Sequence, residues 1–209
     1  ARDASSGTFS GTSSRYSEAI KYSKIAGLRG NSISITRYFI EFDTSGISVA
    51  PVSADLSLYG FANNSADFFV VKADFSDGSI GNADFDSIVG WSAGADNSSN
   101  VTKYSAEVET FSTSGFNDIA LNSTALSDIG SSGTRFKICL IQAENDLANV
   151  DGAVDVKTGF WRTFNTIHLD YTAGSAVGYG NDVMGVASGD IDNVIDVSTG
   201  DIDKVIGVD

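Results

Sequence analysis

The sequence contains one cysteine, Cys139, one histidine, His168, and one proline, Pro51, in 209 residues. A single cysteine excludes an intramolecular disulfide and a zinc site built from cysteines. One histidine and one cysteine leave no transition-metal site except one rich in carboxylates. One proline beside 22 glycines excludes collagen-like and proline-rich linker compositions.

Basic residues and long apolar runs are also scarce. The chain has 13 lysines and arginines against 27 acidic residues, which gives a net charge of −14. Because that charge repels phosphate groups, we expect neither nucleic acid nor an anionic membrane as a partner. No stretch approaches the roughly 20 apolar residues of a membrane helix. Residues 1–4 are too polar for a signal-peptide core, so we expect synthesis without export, although a trimmed precursor would begin in the same way.

What the sequence does contain is a series of short β-rich runs separated by Gly, Ser, Asn and Asp clusters, the pattern of an all-β sandwich. In the run 32–42 the apolar alternation slips once, which predicts a bulge or a strand buried on both faces. The best helical signal is at 123–130, where Ser123 can cap the helix and Gly130 can end it. Residues 17–25 fit a short helix, a strand or a loop. The other predicted strands are 55–59, 67–73, 101–111, 135–142 and 162–171.

The C-terminal segment contains an 11-residue repeat, in which 182–192 recurs as 193–203 and 204–209 begins a third copy. The same spacing occurs in right-handed helical coils, but glycine, serine and β-branched residues in each copy disfavour a long helix. A short strand over V-x-x-V, followed by a turn at Ser/Thr-Gly-Asp, fits better. Residues 172–181 are the predicted linker.

One repeat is too short to bury its own apolar side chains, so the copies must stack on each other, on the preceding domain or on another chain. The segment 182–209 holds seven acidic residues and one lysine and so carries −6 of the net charge of −14. A solvated acidic tail is the alternative, but a regular apolar register is not typical of disorder. The predicted attachment and oligomerisation residues are Val183, Met184, Val186, Ile191, Val194, Ile195, Val197, Ile202, Val205, Ile206 and Val208.

Two patterns resemble hydrolase machinery, and we expect neither to be catalytic. Residues 90–94 read Gly-Trp-Ser-Ala-Gly, the G-x-S-x-G pattern that places a nucleophilic serine between a strand and a helix. The residues after Ser92 are too rich in turn formers for that helix. His168 and Asp170 alternate onto one face of a predicted strand, as a catalytic pair would, but the polar face of a terminal strand accounts for them better.

Carboxylates and aromatic residues offer two further kinds of site. Acidic residues cluster at 74–86 and 146–155, but no segment matches the EF-hand loop. We therefore predict no cofactor, with an irregular Ca²⁺ site left open and solvated turns as the simpler interpretation. For the aromatic residues the alternatives are core packing, which we favour for most of them, and a sugar-stacking platform. The candidates are Tyr59, Phe61, Trp91, Phe160 and Trp161.

From about Arg37 to Tyr171 the chain resembles the jelly-roll modules called DNRLRE or carbohydrate-binding-like domains. The segments that carry the resemblance are 37–47, 53–59, 117–122 with the short helix, and the closing strand at 166–171. The resemblance implies two packed antiparallel sheets with about eight to ten strands. The 11-residue repeats resemble those that end structural proteins of tailed-bacteriophage virions.

Together these features predict an all-β, antiparallel jelly-roll sandwich at 1–174, then a linker and β-rich repeat tail at 175–209. The resemblances imply a non-enzymatic virion protein on the virion surface, either a capsid decoration or a fibre or tail component. Its expected partners are capsid or other virion proteins, further copies in a homo-oligomer such as a trimer, and a host surface glycan. The alternative is a secreted or surface carbohydrate-binding module. The predicted core is Ile33, Ile35, Phe39, Ile40, Phe42, Leu56, Leu58, Phe69, Val71, Phe136, Ile138, Leu140, Ile167 and Leu169.

Overall fold

The structure is a computed structural model that describes residues 17–27, 30–64, 67–131, 135–152, 155–161, 167–175, 193–194 and 197–198. The chain divides into two compact units, Ala1–Thr172 and Ala173–Asp209. The described part of the first unit consists mainly of antiparallel strands. In chain order they are β1 (Ser17–Gly27), β2 (Gly30–Thr36), β3 (Tyr38–Asp43), β4 (Ser53–Asn64), β5 (Phe68–Lys72), β6 (Phe116–Ala120), β7 (Arg135–Gln142), β8 (Val156–Trp161) and β9 (Ile167–Thr172).

The strands form a large sheet and a small sheet. The large sheet has six strands in the order β2-β1-β8-β4-β6, and β9 pairs with the first half of β4. The small sheet has the order β3-β7-β5. Residues 101–108 extend it beyond β5, since Tyr104 N donates to Val70 O and Val108 N donates to Phe68 O, both at 2.8 Å.

This connectivity is that of a jelly roll. With the hairpin strand β2 and the added strand β9 set aside, the sheets read β1-β8-β4-β6 and β3-β7-β5-(101–108). In each sheet, strands from the first half of the domain, up to β5, alternate with strands from the second half, from residue 101 onward, as in a double-sheet jelly roll. The predicted all-β antiparallel sandwich is confirmed.

Side chains from both sheets meet in one core. Leu58 of the large sheet and Leu140 of the small sheet are fully buried in the same cluster. All of the predicted core residues lie in the core clusters or pack against them. Leu56, Leu58, Val71, Phe136, Ile138 and Leu140 are buried, and Ile33, Ile35, Phe39, Ile40, Phe42, Phe69, Ile167 and Leu169 are partly buried.

A second core covers the outer face of the small sheet. Along β5, Phe68 and Val70 lie in the core between the sheets, whereas Val71 lies in the second cluster. A strand buried on both faces gives a continuous apolar run, which explains why β5 shows no alternation. The connection after β5 completes this cluster with Ala73, Phe75, Ile88 and Val101, and with Ile80 and Trp91 packed against it.

The run 32–42 forms two strands, so the single strand predicted there is wrong. β2 pairs with β1 in the large sheet, while β3 pairs with β7 in the small sheet. Arg37 is the residue between them, and it is buried. The apolar alternation slips because the chain changes sheets at this residue.

The predicted helix is confirmed as α1 (Ser123–Ser131). Its cap is Asn122 and not Ser123, since the Asn122 side chain accepts a hydrogen bond from Ala125 N at 3.1 Å. Gly130 lies inside the helix, where a Cβ would be 2.4 Å from Ala50 N. Among the residues that the structure describes, no helix is long and apolar enough to cross a membrane.

In the second unit the structure describes 173–175 and two short strands. β10 (Asn193–Val194) pairs antiparallel with β11 (Val197–Ser198), and Val194 lies opposite Val197. These are the two valines of V-x-x-V in the second copy of the repeat. The other predicted attachment residues lie outside the described residues: Val183, Met184, Val186, Ile191, Ile195, Ile202, Val205, Ile206 and Val208.

Candidate functional site

Aromatic side chains gather on the outer face of the large sheet. Along β4, Leu58 is buried in the core, so its neighbours Ser57 and Tyr59 lie on the opposite, outer face. Strand pairing then sets Phe116 of β6 opposite Tyr59 and His168 of β9 opposite Ser57. Residues that are far apart in sequence therefore share one surface across three adjacent strands.

Phe61 follows Tyr59 by two residues in β4 and therefore lies on the same face, at a bulge in the strand. The pairing with β8 shifts after Gly60, as it does where one strand contains an extra residue. Phe61 covers Gly159 of β8, where a Cβ would lie 2.7 Å from Phe61 Cζ. Trp161 follows two residues along β8 and contacts Phe61, with the ring centroids 5.0 Å apart.

We call Tyr59, Phe61, Phe116, Trp161 and His168 the aromatic face. The rings of Tyr59 and Phe116 meet edge to face at 5.1 Å, and those of Phe116 and His168 meet at 5.3 Å. Edge-to-face contacts of this kind hold aromatic rings in fixed orientations. Phe116 is 48% exposed and Trp161 is 38% exposed. Large exposed apolar side chains grouped together mark interaction surfaces.

Carboxylates lie beside these rings. Asp55, Asp118 and Asp170 occupy outward positions on β4, β6 and β9. Ser57 Oγ donates to Asp118 Oδ1 at 2.6 Å, and His168 Nε2 lies 3.0 Å from Asp170 Oδ2. Because a carboxylate has about four acceptor positions, these contacts leave Asp118 and Asp170 able to accept further hydrogen bonds. The three strands contain neither lysine nor arginine.

The sequence candidates for a sugar platform separate into two groups. Tyr59, Phe61 and Trp161 lie on the aromatic face, whereas Phe160 is buried in the core between the sheets and Trp91 packs against the second core. His168 and Asp170 share an outward face, as their alternation predicts, but Phe116 was missed. The segment around it carries only a short alternation, so β6 was not among the predicted strands.

A buried ion cluster lies on the other side of the sandwich, around Arg37. The Arg37 guanidinium donates two hydrogen bonds of 2.8 Å to the carboxylate of Asp146, and it donates to Asp86 Oδ1 at 2.9 Å. Its Cζ lies 4.1 Å from the centre of the Phe85 ring and 3.9 Å from that of the Trp91 ring. The side chains of Arg37 and Asp146 are both 0% exposed. The cluster ties the second core to the π-helical turn Ala143–Leu147.

Each charged group in this cluster contacts a group of opposite charge, which makes the role of the cluster structural. Burial alone would lower the pKa of the Arg37 guanidinium, but the hydrogen bonds and charge of Asp146 outweigh burial and raise it. Burial also raises the pKa of the Cys139 thiol, which is fully enclosed. Cys139 is therefore held as an unreactive thiol.

The G-x-S-x-G segment does not form the elbow of a hydrolase. Residues after Ser92 form turns, in which Asn97 Oδ1 accepts from Ser92 N at 2.8 Å and Asn97 Nδ2 donates to Ser92 O at 3.0 Å. The segment belongs to the connection that covers the small sheet, through Trp91. His168 lies on the outer face of the large sheet, so the two halves of a serine-histidine pair are on opposite sides of the sandwich.

Most carboxylates in the acidic clusters at 74–86 and 146–155 contact other groups of the protein. Asp77 pairs with Lys137 at 2.5 Å, Asp84 accepts from Gly81 N at 2.7 Å, and Asp151 pairs with Lys24 at 2.8 Å. Asp86 and Asp146 bind Arg37. Within the described ranges, no group of three or more acidic, histidine or cysteine residues is arranged to hold a metal ion.

A polar cavity of about 190 Å³ opens beside α1 and the small sheet. Its central group is Asp128, which accepts from Lys72 Nζ at 2.9 Å and from the Tyr104 hydroxyl. Burial would raise the pKa of Asp128, but the hydrogen bonds from Lys72 and Tyr104 lower it. Burial and the bond to Asp128 raise the pKa of Tyr104. The cavity is therefore lined by charges that already neutralise each other.

No family model matches the chain, and a search of the curated proteins found no match.

Proposed function

We propose that this chain is a non-enzymatic structural protein of a bacteriophage virion. The jelly-roll domain at 1–174 is displayed on the virion surface, and the repeat tail at 175–209 attaches it. The protein serves as a capsid decoration or as a fibre or tail component. Its partners are capsid or other virion proteins and further copies of the same chain. The observation that carries this proposal is the 11-residue apolar register of the tail, which resembles the repeats that end virion proteins.

The jelly-roll domain supports the proposal because it supplies its own core. Its two sheets enclose one apolar cluster, and the connection after β5 closes a second. Since fold alone does not fix function, the sandwich is equally compatible with a glycan-binding module. The tail favours a virion component, because an attachment segment serves a subunit of an assembly and is not needed by a free binding module.

The tail supports the proposal through the apolar residues it brings to an interface. The second copy offers Val194, Ile195, Val197 and Ile202. At about 25 cal/mol for each Å² of apolar surface buried, four such side chains contribute several kcal/mol per copy. Two full copies and part of a third are too short to enclose their own apolar side chains. We therefore expect these side chains to be buried against the tails of other copies, as in a trimer, or against a capsid surface.

Deletion of 182–209 tests the attachment role. We expect the truncated chain to keep the β-rich circular-dichroism spectrum of the full chain, because the described sandwich contacts lie within the first unit. We expect it to lose self-association and particle binding, measured by sedimentation alone and with purified particles. A matched control replaces Asp190 and Asp201 with Asn, which changes tail charge while it keeps the apolar register. An unchanged oligomeric state together with unchanged particle binding would contradict the attachment role.

The virion location has its own test. Mass spectrometry of purified particles should detect peptides of this chain at a fixed ratio to the major capsid protein. Immunogold labelling of intact particles then separates a head position from a fibre or tail position. A chain found in infected cells but missing from washed particles would rule out a virion component.

A further inference from the structure

We infer that the aromatic face binds an uncharged saccharide, with pyranose rings stacked on exposed aromatic side chains and sugar hydroxyl groups donating to the neighbouring carboxylates. The inference depends on the geometry of the large sheet and not on the proposed virion role. It specifies a ligand class for a surface in the first unit, whereas the proposed attachment role concerns the tail.

Stacking is supported by how the rings are presented. Phe116 and Trp161 remain 48% and 38% exposed, although each contacts a neighbouring ring. The bulge at Phe61 and the absence of a side chain at Gly159 let the Phe61 ring lie against the sheet beside Trp161. The C–H groups on one side of a pyranose are weakly positive, and they are attracted to the negative face of an aromatic ring.

The polar groups on this face determine which saccharide fits. In β4, β6 and β9 the charged residues and histidine are Asp55, Asp118, His168 and Asp170, and the one charged residue of β8 is Lys157, four positions before Trp161. Ser57 holds the Asp118 carboxylate from one side and His168 holds that of Asp170, so both are oriented before a ligand arrives. Oriented carboxylates accept strong hydrogen bonds from hydroxyl groups. The same charges, on a chain of net charge −14, repel uronic acids and sulfated sugars.

A saccharide fits this surface better than a protein partner does. A protein that covered the face would bury Asp55, Asp118 and Asp170 and would have to supply a cation to each, since unpaired buried charges are costly. A sugar supplies neutral hydroxyl donors and leaves the carboxylates partly solvated. The charge pattern therefore favours a hydrated saccharide over a protein partner.

Native gel electrophoresis of the full chain tests the inference. The probes are hydroxyethylcellulose and galactomannan as neutral polysaccharides and alginate as the anionic one, each cast into the gel. We expect at least one neutral polysaccharide to retard the chain, and alginate not to. Phe116→Ala and Trp161→Ala should each weaken that retardation about tenfold, as truncation of a stacking residue near the centre of an interface does.

Tyr171→Ala is the matched control. Tyr171 is also aromatic, is 49% exposed and lies on β9, but it is adjacent to Asp170 and so points away from the aromatic face. Its replacement should leave the retardation unchanged. Phe116 and Trp161 lie on different strands, and circular dichroism checks that each variant folds. If one variant is misfolded, the retardation of the other still tests the inference.

Three results would overturn the inference. The first is no retardation of the full chain by either neutral polysaccharide. The second is a retardation that Phe116→Ala and Trp161→Ala leave intact. The third is a change in sedimentation of the full chain caused by these substitutions, which would make the face a contact between copies. The retardation arms use the full chain, whereas the attachment test uses the 182–209 deletion and particle binding, so failure here is distinguishable from failure of the attachment role.

Discussion

Replacement of Arg37 by methionine should be among the most damaging single substitutions in the domain. Arg37 and Asp146 are both fully buried and joined by two hydrogen bonds of 2.8 Å. Methionine fills much of the space between Phe85 and Trp91 but leaves the Asp146 carboxylate without its cation. Removal of one partner of a buried ion pair costs about 3–5 kcal/mol of unfolding free energy.

The assay is urea unfolding followed by tryptophan fluorescence, since the Trp91 ring stacks on the guanidinium itself. With a urea dependence of about 2 kcal/mol per M, a loss of about 4 kcal/mol lowers the unfolding midpoint by about 2 M. Arg135→Met is the matched control, because Arg135 pairs with Glu41 at 3.3 Å and its side chain is 39% exposed. An exposed pair of this kind contributes at most about 1 kcal/mol.

A double variant separates charge from packing. Arg37→Met with Asp146→Leu removes both buried charges, and apolar replacement of a buried pair is often neutral or stabilising. The double variant should therefore regain much of the stability lost by Arg37→Met alone. The reasoning is refuted if Arg37→Met costs no more than Arg135→Met, or if the double variant is less stable than Arg37→Met.

Two further predictions concern the helix and the cavity beside it. Gly130→Ala should destabilise the domain by about 1–3 kcal/mol in thermal unfolding, because the new Cβ would lie 2.4 Å from Ala50 N. The control is Gly46→Ala, whose Cβ would meet nothing within 4 Å and which should change stability by less than about 0.5 kcal/mol. Asp128→Asn should reduce stability at pH 7, and the difference from the unsubstituted chain should disappear in acid. The folded state lowers the pKa of Asp128, so the carboxylate stabilises the domain above the unfolded-state pKa of about 3.9, and this stabilisation is lost as the pH falls through the folded-state pKa. Urea titrations of both chains at pH 7, 4 and 3 measure the difference, and a constant difference across that range would contradict the argument.

The sequence predicts the sandwich well because apolar alternation is a local signal. Residues 135–142 are predicted as a strand with the bounds that the structure shows. The signals at Ser123 and Gly130 predict α1, although its cap is Asn122 and Gly130 lies inside it. Sheet membership is not local. The slip in the alternation of 32–42 marks an irregularity, but it does not distinguish a bulge from a change of sheet, because the two strands acquire different partners only in the folded chain.

The long-range contacts were inaccessible for a related reason. Arg37 and Asp146 are 109 positions apart, and either would read from sequence as an ordinary surface charge. A buried arginine becomes recognisable only when the fold brings a carboxylate and two rings around it. The aromatic face shows the same limit, since Tyr59, Phe61 and Trp161 were candidates one by one, but only strand pairing shows that Phe116 and His168 complete the surface.

The two outer faces of the sandwich differ in a way that bears on function. The outer face of the small sheet is covered by the connection after β5, which closes over it with Phe75, Ile88 and Trp91. The large sheet carries rings as bulky as these, yet Phe116 and Trp161 stay exposed beside carboxylates. Exposed aromatic side chains add nothing to a folded core and promote association, so a face that the described residues leave exposed needs another role. The exposed rings and the tail to which we assign attachment belong to different units of the chain, and substitutions in one should leave the other intact.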